Sequence, residues 1–166
     1  MQTIERTQKA ERGVFVPVLR IFLKKDLERV AEIEAIAFDS PWTVQEFQQV
    51  LKNPNVCALV AEVRGDVAGF VFYELRRVAR SKRLTIELLD LAVAPHIRGR
   101  GIGWILTRHV QSRCGDAGDC IRANVAESSV DAQLFLKRLG FRCMKIIPRF
   151  YPNGQTAYRF SWRCKG

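Results

Sequence analysis

The chain has 166 residues, 48% of them hydrophobic, and a formal net charge of +10 at pH 7. That length fits one domain with a buried core, and that apolar content excludes global disorder. The basic excess, with a pI near 9.8, points to an anionic ligand or partner and disfavours polycationic substrates.

Residues 1–13 are polar and unpatterned and predict a flexible tail, with the folded domain over 14–166. Residues 14–23, VFVPVLRIFL, read as a strand. A helix follows from Asp26, with Leu27, Val30, Ala31, Glu34 and Phe38 on one face at helical spacing. In DSPWTVQEF, Thr43 and Glu46 match a capping box, so a second helix starts at Thr43 and buries Val44, Phe47, Val50 and Leu51. Two apolar runs flank Arg64-Gly65-Asp66 and predict an antiparallel hairpin. The run RRVARSKR (76–83) carries five basic residues in eight. It lies between two predicted strands and lacks interleaved aromatics, so it reads as a solvated loop, and direct nucleic-acid binding is not expected.

Leu84–Val93 is a strand stopped at Pro95. A helix is expected from about Gly101 to Cys114 and a strand over 120–126. A further helix, capped by Ser128 or Ser129, runs to Leu139 with Gly140 as a left-handed stop. Phe141–Ile147 and Gln155–Arg163 complete the strands, around a Pro152-Asn153-Gly154 turn. This order fits a single mixed α/β sheet. The five cysteines (Cys57, Cys114, Cys120, Cys143, Cys164) contain no CxxC, and with only His96 and His109 beside them no metal-ligand spacing exists. The cysteine usage, the lack of an apolar leader and the lack of a span-length segment set the expectation of a cytoplasmic protein without membrane association.

The stretch VAPHIRGRGIGWIL (93–106) places three glycines and two arginines where a strand becomes a helix. The first turn of a helix leaves N–H groups without partners and carries the positive end of the macrodipole. Glycine lets a phosphate reach those groups, and Arg98 and Arg100 add charged donors, so the turn suits a pyrophosphate. A GxGxxG fingerprint would need glycine at 104 or 106, and those residues are Trp104 and Leu106. The Gly-Lys-Ser/Thr of a P-loop is missing.

The spacing Arg98-x-x-Gly101-x-Gly103 after a strand and Pro95 resembles the acetyl-CoA loop of the GNAT N-acetyltransferase superfamily. The helix containing Ala31–Glu34 with SPWT after it, DLAVAP, LFLKRLGF, and RFYPNG followed by AYRF are similar to its RimI type. Enzymes of that type acetylate protein N-termini, including that of a ribosomal protein. The resemblance implies one GNAT domain, a mixed sheet with helices on both faces, and acetyl-CoA as co-substrate with no metal. It places the pantetheine arm along Leu91, Ala92 and Val93. The pyrophosphate would lie on Arg98, Gly99, Arg100, Gly101, Ile102, Gly103 and Trp104, and Ser129 stands where the pattern has an asparagine. A protein or peptide N-terminus is the implied acceptor, with a ribosomal protein among the candidates; the oligomeric state stays open.

The sequence departs from that pattern at its chemical groups. The glutamate that accepts the proton on the fifth strand is Asn124 here, and the tyrosine that protonates the thiolate is Leu136. Glu87 is then the candidate base, six residues before Val93, where histone-type members carry theirs. Alternation puts Glu87 on the face of Leu89 and Leu91 and turns Asp90 to the other face unless a bulge intervenes. Tyr151 is the candidate acid or substrate-orienting group, with Tyr158 and Tyr73 behind it; His96 and His109 read as structural. Two alternatives remain at this point: acetylation of a small-molecule amine, and a CoA-binding module without strong catalysis that docks on ribosome or nucleic acid.

Overall fold

The computed structural model describes residues 16–77, 79 and 83–165. The tail expected over 1–13 lies outside them, as does part of the basic run. The elements follow in the order β1 (Val18–Ile21), α1 (Leu27–Ala37), α2 (Val44–Val50), β2 (Val56–Val63), β3 (Asp66–Arg77), β4 (Leu84–Val93), α3 (Ile102–Gln111), β5 (Cys120–Ala126), α4 (Val130–Arg138), β6 (Arg142–Ile147) and β7 (Ala157–Arg163). The strands form one sheet in the order β1-β2-β3-β4-β5-β7-β6. Its β4–β5 pair is parallel because the connection is a helical crossover, α3; the other neighbours are antiparallel,.

The alternation of β3 divides the core between the two faces. Phe70 and Phe72 pack with Leu27, Val30, Ile33 and Phe47 from α1 and α2. Val71 and Tyr73 pack on the opposite face with Ile102, Leu106 and Val110 of α3 and Leu136 of α4. Helices therefore cover both faces. Phe47 is fully buried and meets the rings of Trp42, Phe70 and Phe72 at centroid distances of 5.2–6.0 Å.

Local chemistry sets the element ends. Pro17 has no N–H for a ladder, and among the described residues β1 begins after it; residues 14 and 15 of the expected strand lie outside them. Thr43 caps α2 as expected: its Oγ1 accepts the Glu46 N–H at 3.2 Å, and Glu46 accepts the Thr43 N–H at 2.6 Å. Phe47 is the fully buried residue of α2, and Val44, Val50 and Leu51 pack against the same core half-buried. Helix α1 stops one residue before Phe38, whose backbone is extended and whose ring is 40% exposed. Ile33 occupies the buried position instead. Ser129 stands at the N-cap of α4 without a side-chain capping bond. Gly140 ends α4 in the left-handed conformation, φ 86°, with Phe141 N–H donating to Leu136 O and Gly140 N–H to Lys137 O. Those two bonds define a Schellman stop, and they hold Phe141 outside β6.

Asp119 aligns the two parallel strands. Buried at 3% exposure, its carboxylate accepts the N–H of Leu84 at 2.8 Å and those of Gly115 and Asp116 at 3.1 Å. These backbone donors, Leu84 first, hold it below the usual carboxylate range. A depressed folded value adds stability above the unfolded value of about 3.9 and loses it as pH falls through the folded one. Urea midpoints of wild type and Asp119→Asn should therefore differ at pH 6 and converge below about pH 4. Phe47→Ala should lower stability by about 3–5 kcal/mol at constant pH, read from the same midpoints.

Candidate active site

Strands β4 and β5 pair only between Thr85–Leu88 and Cys120–Ala123. Beyond that point β4 stays with β3 as far as Val93, and β5 stays with β7 as far as Ala126. The two strands therefore part in the middle of the sheet. A cleft of about 260 Å³ opens there, between Leu88–Leu91 on one side and Ala123–Ala126 on the other. Leu136 and Phe135 of α4 line it on one face. Glu34 and Trp42 line it on the other, and Tyr151 reaches in from the segment before β7.

A bulge in β4 decides which side chains enter. Tyr73 stands opposite Leu88 and Phe72 opposite Asp90, so Leu89 is an extra residue. The phase of the strand shifts by one: Leu88, Leu91 and Val93 pack toward α3 and α4, whereas Asp90, opposite Phe72, turns toward α1 and α2. Glu87 stands opposite Glu74, two residues along β3 from Phe72, and shares the face of Asp90. Simple alternation had grouped Glu87 with Leu91; the extra residue separates them.

Of the residues singled out from the sequence, Leu91, Ser129 and Tyr151 line the cleft. Glu87 does not; its carboxylate lies 3.6 Å from the Arg122 guanidinium of β5. Tyr73 is buried in the core, 3% exposed. Tyr151 donates its hydroxyl to Asn124 O at 3.3 Å, and burial pushes its pKa up, which keeps the proton on the phenol,. The Asn124 side chain accepts from Arg159 Nε at 3.0 Å, and Leu136 is buried.

Two acids in the cleft had not been assigned a chemical role. Glu34 and Asp90 are 2% and 8% exposed. Glu34 Oε1 accepts the Trp42 N–H at 3.0 Å, while Glu34 Oε2 and Asp90 Oδ2 are buried without any other partner. Two bare carboxylate oxygens cannot bond each other, and a single proton between them satisfies both. Burial, then the Glu34 charge, raises Asp90 well above its ordinary value. Burial raises Glu34 against the opposing pull of the Trp42 N–H. The sequence signal was available: both acids interrupt apolar stripes, Glu34 on the buried face of α1 and Asp90 within LLDLAV.

The strand-to-helix turn follows β4 directly. Gly99 and Gly101 adopt φ of 75° and 86°, and a Cβ on either would meet no atom within 4 Å. The space before the first turn of α3 is open, and its leading amides point there without intrahelical acceptors. Arg98 Nε donates to Val93 O at 3.0 Å, which fastens the turn to the end of β4. A Cβ on Gly103 would lie 3.2 Å from the Phe135 ring, so the helix start adjoins the cleft wall. Trp104 is 53% exposed, with the Arg108 guanidinium 5.7 Å from its ring centre. This cradle fits a pyrophosphate, and the parted strand edge fits an extended amide-bearing arm.

The comparisons with known proteins agree with this geometry. A model of the acetyltransferase (GNAT) family matches residues 27–141. An uncharacterized N-acetyltransferase of Methanocaldococcus jannaschii is 31% identical over 142 residues, 84% of this chain and 87% of the relative. The N-alpha-acetyltransferase RimI of Mycobacterium tuberculosis is 28% identical over 138 residues, 81% of this chain and 85% of the relative. Among solved structures, Arabidopsis thaliana NAA60 in complex with acetyl-CoA matches with a TM-score of 0.75 at 21% identity, over 91% of this chain and 100% of that one. The chain belongs to the GNAT family of acetyltransferases. It is an acetyl-CoA-dependent acyltransferase.

Gly101→Val fills the open cradle and strains a left-handed position. Calorimetric titration should show acetyl-CoA affinity lowered by about tenfold or more, the loss of one charge-assisted bond or its equivalent, with the far-ultraviolet spectrum retained.

Proposed function

We propose that the protein acetylates the α-amino group of a protein or peptide N-terminus. The observation that carries this reading is the cleft itself, which is lined by the α1–α2 segment (Phe38, Asp39, Trp42) and by the segment before β7 (Tyr151, Asn153). An extended chain end can enter there toward the parted strands. The sequence relationship to an enzyme named N-alpha-acetyltransferase RimI supports the same acceptor. Acetyl-CoA supplies a thioester carbonyl that an unprotonated amine attacks. In this reading Leu91, Ala92 and Val93 hold the pantetheine arm beside Ser129. Arg98, Gly99, Arg100, Gly101, Ile102, Gly103 and Trp104 hold the phosphates. Tyr151 orients the acceptor or returns a proton to the departing thiolate.

A ribosomal protein is a fitting acceptor for a chain of charge +10, because such a surface is drawn to RNA-rich neighbourhoods. A cytoplasmic setting belongs to the same reading and is supported by the five free cysteines,. Among the described residues, no helix is long and apolar enough to cross a membrane.

The chemistry favours an α-amine over a lysine. With pKa values of about 8 and 10.4, the unprotonated fractions at pH 7 differ roughly two-hundredfold. A panel of peptides with free N-termini and internal lysines, followed by mass spectrometry and thiol release, should give acetylation at the N-terminus at least about a hundredfold faster than at lysine. Preferential turnover of free diamines or sugars over every peptide would contradict the proposal.

A further inference from the structure

The reaction needs a proton acceptor, and the usual fifth-strand position holds Asn124, which cannot serve at neutral pH. Glu87 is paired with Arg122 outside the cleft lining. Inside it stand Glu34 and Asp90, each more than nine-tenths buried, with one oxygen apiece lacking a hydrogen-bond donor and with the two carboxyl groups within reach of each other. We propose that the Glu34–Asp90 pair is the proton acceptor for the substrate's ammonium group, holding one shared proton and one negative charge in the cleft. This rests on the N-acetyltransferase reading above and names the group that makes it work.

The surroundings fit a cation. No lysine, arginine or histidine is among the described residues that line the cleft. The titratable groups facing the pair are acidic: Asp39 from the α1–α2 segment and Tyr151 across the cleft, with Glu46 of α2 adding its charge behind Glu34. A protein of net charge +10 thus keeps a negative pocket where the acceptor must arrive, and an ammonium ion gains there what a carboxylate alone would lose by burial. The bond from Trp42 N–H to Glu34 Oε1 accounts for one oxygen structurally and fixes the carboxyl plane. It leaves Oε2 and Asp90 Oδ2 for chemistry.

The pair starts with one proton between Glu34 Oε2 and Asp90 Oδ2. It takes a second from R–NH₃⁺, which leaves both acids protonated and a free lone pair on nitrogen. The amine nitrogen bonds the acetyl carbon as the carbon–sulfur bond breaks, and the remaining extra N–H proton ends on the thiolate. Amide and thiol leave, and the pair gives its additional proton to solvent.

The test uses the full chain with acetyl-CoA and one N-terminal peptide, comparing wild type with Glu34→Gln, Asp90→Asn, the double variant and Glu87→Gln. Asp90→Asn keeps the side-chain shape and a donor toward Glu34, so it separates titration from packing. Either single substitution should move the acidic limb of the kcat profile. The double variant should lose roughly 10²–10⁴-fold in kcat at unchanged acetyl-CoA affinity. Its remaining limb should follow the acceptor's own amine, near pH 8. A folded double variant that binds acetyl-CoA normally and keeps the wild-type rate and limb would overturn the proposal, as would the same change produced by Glu87→Gln alone. A readout free of turnover accompanies it: in ¹³C-carboxyl NMR of the protein alone, Glu34 and Asp90 should titrate as one linked pair that retains a proton at pH 7. Two independent titrations in an active enzyme contradict the pair while leaving the acetyltransferase reading standing. Linked titration in a protein that acetylates no amine contradicts that reading, and the pair's role with it.

Discussion

The surplus residue Leu89 in β4 is where the geometry of this protein turns. Because Tyr73 faces Leu88 and Phe72 faces Asp90, the strand changes phase within a few residues. A carboxyl from an apolar run turns toward α1 and α2, while Leu91 stays on the α3–α4 face. Just past Leu88 the parallel pairing with β5 ends, and a backbone edge is left in the middle of the sheet. An unpaired edge inside a domain is costly unless something completes it, and here that position is the one suited to an extended arm with its own amide groups.

The rest of the molecule holds this parting in place. Asp119 fixes the start of β4 against the turn before β5 through three backbone N–H groups, so the strands begin in register and can separate only at the far end. The aromatic cluster around Phe47 anchors α2 against β3. That contact, with the Trp42 N–H bond to Glu34, sets the wall facing Asp90. On the other face, α4 presents the apolar, buried Leu136 to the cleft. Asn124 alternates along β5 with Ala123 and Val125 of the α3–α4 core and so lies on the α1–α2 face with Glu34 and Asp90, where the acidic groups come from α1 and β4.

Much of this was legible in the sequence, and the failures have physical causes. Periodicity and turn chemistry located every element, and the Thr43–Glu46 box and the Gly140 stop formed as their side chains and φ requirements demand. The glycine-arginine spacing marked the open turn before α3, because left-handed backbone at Gly99 and Gly101 needs glycine there,. Faces were less readable. A bulge leaves no signature in a run such as TIELLDLAV, since both phases are apolar, so Glu87 and Leu91 fell on one face by alternation and on opposite faces in three dimensions. Phe38 was read as buried because helical spacing continues past the point where α1 ends. Glu34 was placed on the core face correctly, but its meaning needed the partner that only the bulge supplies.

The most direct measurement of the central claim is amide hydrogen exchange across β4 with and without acetyl-CoA. Within 89–93, which β3 pairs on one edge only, the amides that point away from β3 should exchange fast in the free protein and become strongly protected, with those of 99–104, on addition of acetyl-CoA, while 84–88 changes little. Equal protection of those outward amides and of 84–88 in the free protein, unaltered by acetyl-CoA, would contradict the open strand edge.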